Sequence, residues 1–372
     1  MSFYKRMGID TYINAHDTYT IYGGSRMAPE TLQAMKEAAA SFVDIHQMQQ
    51  VLGDKIAAMT NNPGCYITNG AAGALTLAAA VCMVKGNRYH FSKLPDTTGL
   101  SNEIVVMRSQ RNGYDAAIRA TGAAVVEIGD ADETPAYQLE AVLGPQTAAV
   151  FVFESINYIR AAMPLDEVIR IAHSKGVPVV VDAAAQIPPA ENLWKFTRDK
   201  KADLALFSGG KSLCGPQDSG LILGRGDMIE DCRRFGAPNH GLCRASKTSR
   251  EAMAGLYTAL EQYLALNPGQ EYARLEAMAK KLGDVMADVG LVPYIVPHGP
   301  VGQAYPRVFA DCQIPGQAMQ IAEEMKKRKI YIGAERWNNK IYISPLNLTE
   351  EEAGRVSKTL TEVLNLAGER NV

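Results

Sequence analysis

The sequence lacks several features that would assign it to a special class of protein. It has no excess of charge of either sign, since 38 lysine and arginine residues stand against 40 aspartate and glutamate residues. The net charge of -2 provides no general basic field, so we expect no nucleic-acid partner. The N-terminal stretch MSFYKRMGID has no apolar signal core, and no apolar run reaches the roughly 18 residues that span a bilayer. We therefore expect neither export nor a membrane partner.

Metal-binding and disulfide patterns are also absent. No C-x-x-C pair occurs, the six histidines are scattered, and no cysteine has histidines at metal-ligand spacing. We therefore predict no metal site and reduced thiols in a cytoplasmic protein. A Walker loop, a G-x-S-x-G motif and an early G-x-G-x-x-G are missing as well. The cysteines are Cys65, Cys82, Cys214, Cys232, Cys243 and Cys312.

Short apolar runs alternate with helical patterns in the first two thirds of the chain, which predicts an α/β fold with a mostly parallel sheet and helices on both faces. After residue 247 a long helical pattern precedes short strands and helices, which indicates a small α+β domain. A chain of 372 residues is long enough for two cores. We predict an N-terminal arm (1–50), a large domain (51–246), and a linking helix with a small C-terminal domain (247–372). The predicted strands of the large domain cover 65–68, 103–107, 123–128, 148–153, 177–182, 202–207 and 219–224.

Two charged residues follow neighbouring apolar strands. Asp182 ends VPVVVD, and Lys211 follows ADLALF in the glycine-containing stretch SGGKSLCGPQDSG. The carboxyl ends of parallel strands face the ligand crevice, so these side chains are expected to lie near each other. A buried lysine is a usable amine nucleophile, and a carboxylate can hold a pyridine nitrogen protonated. The pair predicts pyridoxal 5'-phosphate as cofactor, although a helix cap for Asp182 and a turn position for Lys211 remain alternatives.

Further residues could complete a cofactor site. The stretch TNGAAGALTL begins a helix after a strand, so the backbone N–H groups of Gly70, Ala71 and Ala72 could bind phosphate. Ser208 precedes Lys211 by three residues and could join the same phosphate. Gln186 could bind the ring hydroxyl, and Asn112 or Tyr114 could lie over the ring. Each of these segments could equally be an ordinary turn or loop.

Five motifs occur in an order that resembles a known family. They are INAHDTYTIYGGSRM, TNGAAGALTLAAA, QRNGYDAAIRATGA, VDAAAQIPPAENLW and FSGGKSLCGPQDSG. They resemble the selenocysteine-synthase-like branch of fold-type I pyridoxal phosphate enzymes, and most closely the D-glucosaminate-6-phosphate ammonia-lyase group. The resemblance implies a seven-stranded, mostly parallel sheet and a homodimer or higher oligomer with active sites at subunit interfaces. It also implies that Lys211 is the Schiff-base lysine and Asp182 the partner of the pyridinium.

The sequence departs from the family pattern near the expected pocket. Ser212 stands where a glycine usually follows the lysine, and Cys243 and Ser249-Arg250 alter the segment around Lys247. The substrate could therefore differ from that of the named lyase.

The expected reaction is an α,β-elimination on a hydroxylated amino acid or amino sugar acid, giving an oxo acid and ammonia. Lys211 would act as the base at Cα. Arg26, Arg111 and Arg336 are candidates for binding the carboxylate or phosphate of the substrate. A racemase or epimerase, an aldolase, and a non-catalytic regulator that binds the cofactor remain alternatives.

Overall fold

The computed structural model describes residues 2–369 and contains two compact units. The large unit covers Arg26–Ala265, and the small unit combines the described residues up to Ser25 with those from Leu266 onward. The boundaries between the units fall after Ser25 and after Ala265, whereas the sequence analysis placed boundaries after residues 50 and 246. Residues 26–50 form helices of the large unit instead of an arm, and the helix predicted to link the domains also belongs to the large unit.

The strands and helices follow closely the pattern read from the sequence. The strands are β1 (Ile13–Asn14), β2 (Gly64–Thr68), β3 (Glu103–Met107), β4 (Ala124–Ile128), β5 (Thr147–Phe153), β6 (Val179–Asp182), β7 (Leu204–Ser208), β8 (Gly220–Gly224), β9 (Val292–Val296), β10 (Arg307–Asp311), β11 (Ile330–Tyr331), β12 (Gly333–Glu335) and β13 (Lys340–Ile343). The helices are α1 (Phe3–Arg6), α2 (Pro29–Ala39), α3 (Ile45–Met59), α4 (Gly70–Val84), α5 (Arg88–Lys93), α6 (Ala116–Arg119), α7 (Ala136–Val142), α8 (Leu165–Ser174), α9 (Asn192–Trp194), α10 (Gly226–Phe235), α11 (Arg250–Ala265), α12 (Pro268–Asp288), α13 (Gln317–Lys327) and α14 (Glu350–Glu369).

The large unit is built on a seven-stranded sheet with the order β2-β8-β7-β6-β5-β3-β4. The pairs between β4, β3, β5, β6 and β7 are parallel, and β8 runs antiparallel to both of its neighbours. The central strands are apolar throughout because both faces are covered. In β5, for example, Phe151 packs into the core on one face and Val152 into the core on the other.

Helix α8 of this unit buries one apolar stripe, whereas α4 is buried almost all round between Gly73 and Val84. In α8 the buried positions Leu165, Val168, Ile169 and Ala172 recur with helical spacing, while Asp166 and Glu167 lie in the first turn, where negative charge is favoured. This arrangement confirms the predicted α/β fold with helices on both faces of the sheet.

The small unit has a four-stranded antiparallel sheet with the order β12-β13-β10-β9. Strand β1 from the start of the chain pairs in parallel with β11. Helices α12, α13 and α14 contribute Leu282, Ile321 and Val356 to the core of this unit. Among residues 2–369 no helix is long and apolar enough to cross a membrane.

Candidate active site

Three strands of the large unit end side by side at one edge of the sheet. Asp182, the last residue of β6, lies opposite Leu206 of β7. Ser208 ends β7 opposite Gly220 of β8, and Gly220 also lies opposite Thr68, which ends β2. The carboxyl ends of β2, β7 and β6 therefore meet at the edge where parallel α/β sheets bind ligands.

The carboxylate of Asp182 is only partly satisfied by the protein. Asp182 is 9% exposed, and its Oδ1 accepts a hydrogen bond of 2.9 Å from the backbone N–H of Ala184. Its Oδ2 has no hydrogen-bond partner among the residues that the structure describes. Burial raises the pKa of this carboxyl group, while the positive charge of Lys211 lowers it. The two residues are thus within electrostatic reach, and the remaining oxygen is suited to a cationic N–H group.

Lys211 lies in the loop between β7 and β8, half-buried. Its carbonyl oxygen accepts a hydrogen bond of 2.9 Å from Cys214, whose φ of 54° places it in the left-handed region. A Cβ atom at Gly209 would collide with the Ser219 hydroxyl, and one at Gly210 would lie 2.5 Å from Cα of Gln217. The two glycines before Lys211 therefore permit the loop to pack on itself, which positions Lys211.

Helix α4 begins at this edge without a side-chain cap. Asn69 precedes the helix, but its side chain makes no capping hydrogen bond and donates instead to the carbonyl of Lys247 at 3.3 Å. Gly70 has a φ of 64°, and no atom lies within 4 Å of the point that a Cβ would occupy there. The first N–H groups of α4, at Gly70, Ala71 and Ala72, are therefore available for an anion at the positive end of the helix dipole.

Gly220 allows the start of α4 to approach the sheet closely, because it has no Cβ atom. The sequence analysis did not identify this role of Gly220. A Cβ atom there would lie 2.7 Å from the carbonyl carbon of Gly70 and 2.8 Å from the carbonyl oxygen of Phe207. Gly220 pairs with Ser208, so the helix start lies one strand away from the Ser208 hydroxyl, which has no partner among the described residues. The only signal in the sequence was a glycine at the start of an apolar strand.

Gln186 and Asn112 make contacts that stabilise their own loops. The side-chain amide of the buried Gln186 donates to the carbonyl of Glu154 at 2.8 Å. Asn112 donates to the carbonyl of Gln110 at 2.9 Å and accepts from the N–H of Tyr114 at 2.8 Å. Gln186 lies just beyond β6, near Asp182. The predicted contacts of these two residues with a cofactor ring remain predictions.

The candidate arginines differ in their surroundings. Arg111 forms ion pairs with Asp115, which is buried, and with Glu127, so its charge is already offset by two carboxylates. Arg26 is exposed just before α2 in the large unit, and Arg336 is exposed in the turn between β12 and β13 of the small unit. The structure therefore gives Arg111 a role in stabilising its loop and does not single out any of the three as an anion site.

Comparisons with known proteins agree with this geometry. A family model described as aminotransferase class-V matches residues 102–246. D-glucosaminate-6-phosphate ammonia lyase from Salmonella typhimurium (strain 14028s / SGSC 2262) is 32% identical over 289 residues, which cover 76% of each chain. The 5'-C-glycyluridine monooxygenase-decarboxylase of a Streptomyces species is 32% identical over 285 residues, covering 74% of this chain and 69% of that protein. A solved structure of D-glucosaminate-6-phosphate ammonia-lyase superposes with a TM-score of 0.86 at 27% identity, covering 99% of both chains.

The fold and the site define a pyridoxal phosphate-dependent enzyme of fold type I. The chain belongs to the family of D-glucosaminate-6-phosphate ammonia lyase, and its cofactor is pyridoxal 5'-phosphate. The residues present fit this cofactor. The partly unsatisfied carboxylate of Asp182 suits a protonated pyridine nitrogen, the uncapped start of α4 suits a phosphate, and Lys211 carries an amine on the loop that follows Ser208.

Proposed function

We propose that this chain is a carbon–nitrogen lyase that acts on a hydroxylated amino acid or amino sugar acid, with phosphorylated acids such as D-glucosaminate 6-phosphate among the candidates. The products would be an oxo acid and ammonia, because the water that leaves in the elimination is balanced by the water that the enamine takes up. The observation that carries the proposal is the buried Asp182 with an unsatisfied oxygen, beside Lys211 in a chain related to an ammonia lyase.

We assign roles to the residues at the sheet edge as follows. Asp182 keeps the pyridine nitrogen protonated, while Ser208 and the N–H groups of residues 70–72 bind the phosphate. Gln186 and Asn112 contact the ring. Pyridoxal phosphate, when bound, stabilises negative charge at the substrate Cα.

Lys211 would hold the cofactor through its amine, and its Nζ, when free, would take the proton from the substrate Cα. The hydroxyl group at Cβ then leaves as water after gaining a proton. The released enamine adds water and loses ammonia, which gives the oxo acid. Arg26, Arg111 and Arg336 remain candidates for the substrate anion, with Arg111 disfavoured by its two carboxylate partners.

Family membership alone does not select the reaction, because the Streptomyces relative is named for an oxygenation with decarboxylation. A racemase, epimerase or aldolase could use the same residues. These reactions can be distinguished by incubating the holoenzyme in deuterated water with D- and L-hydroxyamino acids and with amino sugar acids. Elimination releases ammonia and an oxo acid in equal amounts, without consuming oxygen.

Other readouts would contradict the lyase proposal. Deuterium at Cα of recovered substrate without ammonia would indicate racemisation, release of an aldehyde would indicate aldol cleavage, and oxygen consumption would indicate an oxygenase. Asp182→Asn is a matched variant, since the amide keeps the shape of the side chain but carries no negative charge. We expect it to bind the cofactor and to lose ammonia release by about 100-fold or more, in line with the loss of one preorganised charge.

We also propose a cytoplasmic homodimer or higher oligomer. Large apolar side chains near the start of the large unit support association, since Phe42 is 95% exposed and Leu32, Val43 and Val51 are exposed as well. The scattered positions of the six cysteines, none of them in a C-x-x-C pair, support a reducing compartment. Light scattering coupled to gel filtration tests the oligomer: a mass equal to one chain of 40.3 kDa would contradict it.

A further inference from the structure

A buried glutamine at the carboxyl edge of the large sheet has side-chain donors that the described residues do not use. Gln110 ends the short turn that follows β3, and it is 3% exposed. Its Oε1 accepts a hydrogen bond of 3.0 Å from the backbone N–H of Phe153, the last residue of β5. Its carbonyl accepts a second bond, of 2.9 Å, from the side chain of Asn112. Gln110 is therefore anchored at the end of β5.

The Nε2 of Gln110 donates to no residue that the structure describes. It is also not among the described side-chain atoms that are both unpartnered and sealed from solvent, so it faces space that a ligand can reach. Buried amides normally satisfy their donors. Gln49, the buried glutamine of α3, does so, because its Oε1 accepts from the N–H of Ile67 at 3.0 Å and its Nε2 donates to the carbonyl of Ile67 at 2.7 Å. Gln110 has the same kind of anchor but keeps its donors for another acceptor.

Gln110 and the proposed phosphate site lie on opposite sides of Asp182. The strand order β8-β7-β6-β5-β3 places Ser208 beside β6 on one side and Phe153 beside it on the other, where Phe153 pairs with Asp182. In pyridoxal 5'-phosphate, the phosphate arm and the 3-oxygen lie on opposite sides of the line that joins the ring nitrogen to C4. A ring bound by Asp182 at its nitrogen and by α4 at its phosphate therefore directs the 3-oxygen towards β5 and β3.

We propose that Gln110 binds the cofactor by donating from Nε2 to the 3-oxygen of the ring. The bond to Phe153 orients this donor before the cofactor arrives, and a preorganised N–H group is suited to an oxygen that carries negative charge. Gln186, the candidate from the sequence for this oxygen, already donates from its Nε2 to the carbonyl of Glu154 at 2.8 Å. The inference rests on the roles proposed above for Asp182 and α4, but it does not depend on the elimination reaction.

Calorimetric titration of the apoprotein with two compounds tests this contact. The probes are pyridoxal 5'-phosphate and its 3-deoxy analogue, which has hydrogen in place of the 3-hydroxyl group. Gln110→Glu keeps an acceptor for the N–H of Phe153 but places a carboxylate oxygen where Nε2 donates. We expect this variant to bind pyridoxal 5'-phosphate about tenfold or more weakly than the wild type, because a hydrogen bond to a charged group is lost. Its affinity for the 3-deoxy analogue should stay within about threefold of the wild type, since that compound has no oxygen to accept the bond.

Two further variants separate this contact from structural effects. Gln138→Glu is the matched control, because the Oε1 of Gln138 in α7 accepts from the N–H of Gly129, just beyond β4, and both affinities should stay within about twofold of the wild type. Gln110→Met, which has no N–H donor, serves as the test if Gln110→Glu does not fold.

Three results would overturn the inference alone. They are an unchanged affinity of the Gln110 variants for pyridoxal 5'-phosphate, an equal loss of affinity for both compounds, and a loss in Gln138→Glu as large as that in Gln110→Glu. A wild type that binds neither compound would overturn the proposed cofactor site together with this inference.

Discussion

Gly220→Ala is expected to weaken cofactor binding through backbone contacts alone. The added Cβ would lie 2.7 Å from the carbonyl carbon of Gly70 and 2.8 Å from the carbonyl oxygen of Phe207. Both neighbours are backbone atoms, so relief requires the start of α4 or strand β7 to move. Overpacking of this kind costs about 1–3 kcal/mol. If the start of α4 moves, that cost raises the cofactor dissociation constant about 5- to 150-fold.

The assay is a titration of apoprotein with pyridoxal 5'-phosphate, followed by the visible absorbance of the bound cofactor. Gly144→Ala is the matched control, because nothing lies within 4 Å of its Cβ position and its φ lies outside the positive range. Gly70→Ala distinguishes backbone strain from steric crowding. No atom lies within 4 Å of its Cβ position, but its φ is 64°, a backbone conformation that costs alanine about 1 kcal/mol. A folded Gly220→Ala protein that binds the cofactor as tightly as wild type would refute the reasoning.

Three further predictions concern single polar groups. Ser208→Ala should raise the cofactor dissociation constant about 10- to 150-fold, because a hydrogen bond to a charged group contributes roughly 1.5–3 kcal/mol. An unchanged dissociation constant would remove Ser208 from the phosphate site. Arg111→Gln should lower the free energy of unfolding by about 1–3 kcal/mol in denaturant titrations, because buried Asp115 loses a partner. The KM for the substrate should stay unchanged, and a raised KM would restore Arg111 as a substrate residue. Because the pKa of His16 is lowered to about 4 in the folded protein, the free energy of unfolding of the wild type should decline as the pH falls from 6.5 to about 4. His16→Gln should lack that part of the decline. Identical pH profiles of stability for the wild type and the variant would contradict the lowered pKa.

The sequence predicted the large unit well because its strands are buried on both faces. Runs such as TAAVFVF in β5 are recognisable as apolar strands without knowledge of their partners, and a helix such as α8 shows a polar stripe beside its apolar one. The antiparallel direction of β8 did not follow from its sequence, since an apolar run carries no information on direction. The pairing of β1 with β11 was equally hidden, because it joins residues more than 300 positions apart.

The candidate site was predictable where chemistry and strand position coincide. Asp182 and Lys211 follow buried strands, and the structure places them within electrostatic reach. Arg111 could not be judged from sequence, because its partner Glu127 lies on β4, outside the loop that carries Arg111.

The measurement that tests the central claim most directly is the identification of the lysine that carries the cofactor. Holoenzyme is reduced with borohydride, digested, and its peptides are analysed by mass spectrometry. We predict a single pyridoxyl adduct on Lys211, and no visible cofactor band in Lys211→Ala. An adduct on another lysine such as Lys247, or no adduct at all, would contradict the account.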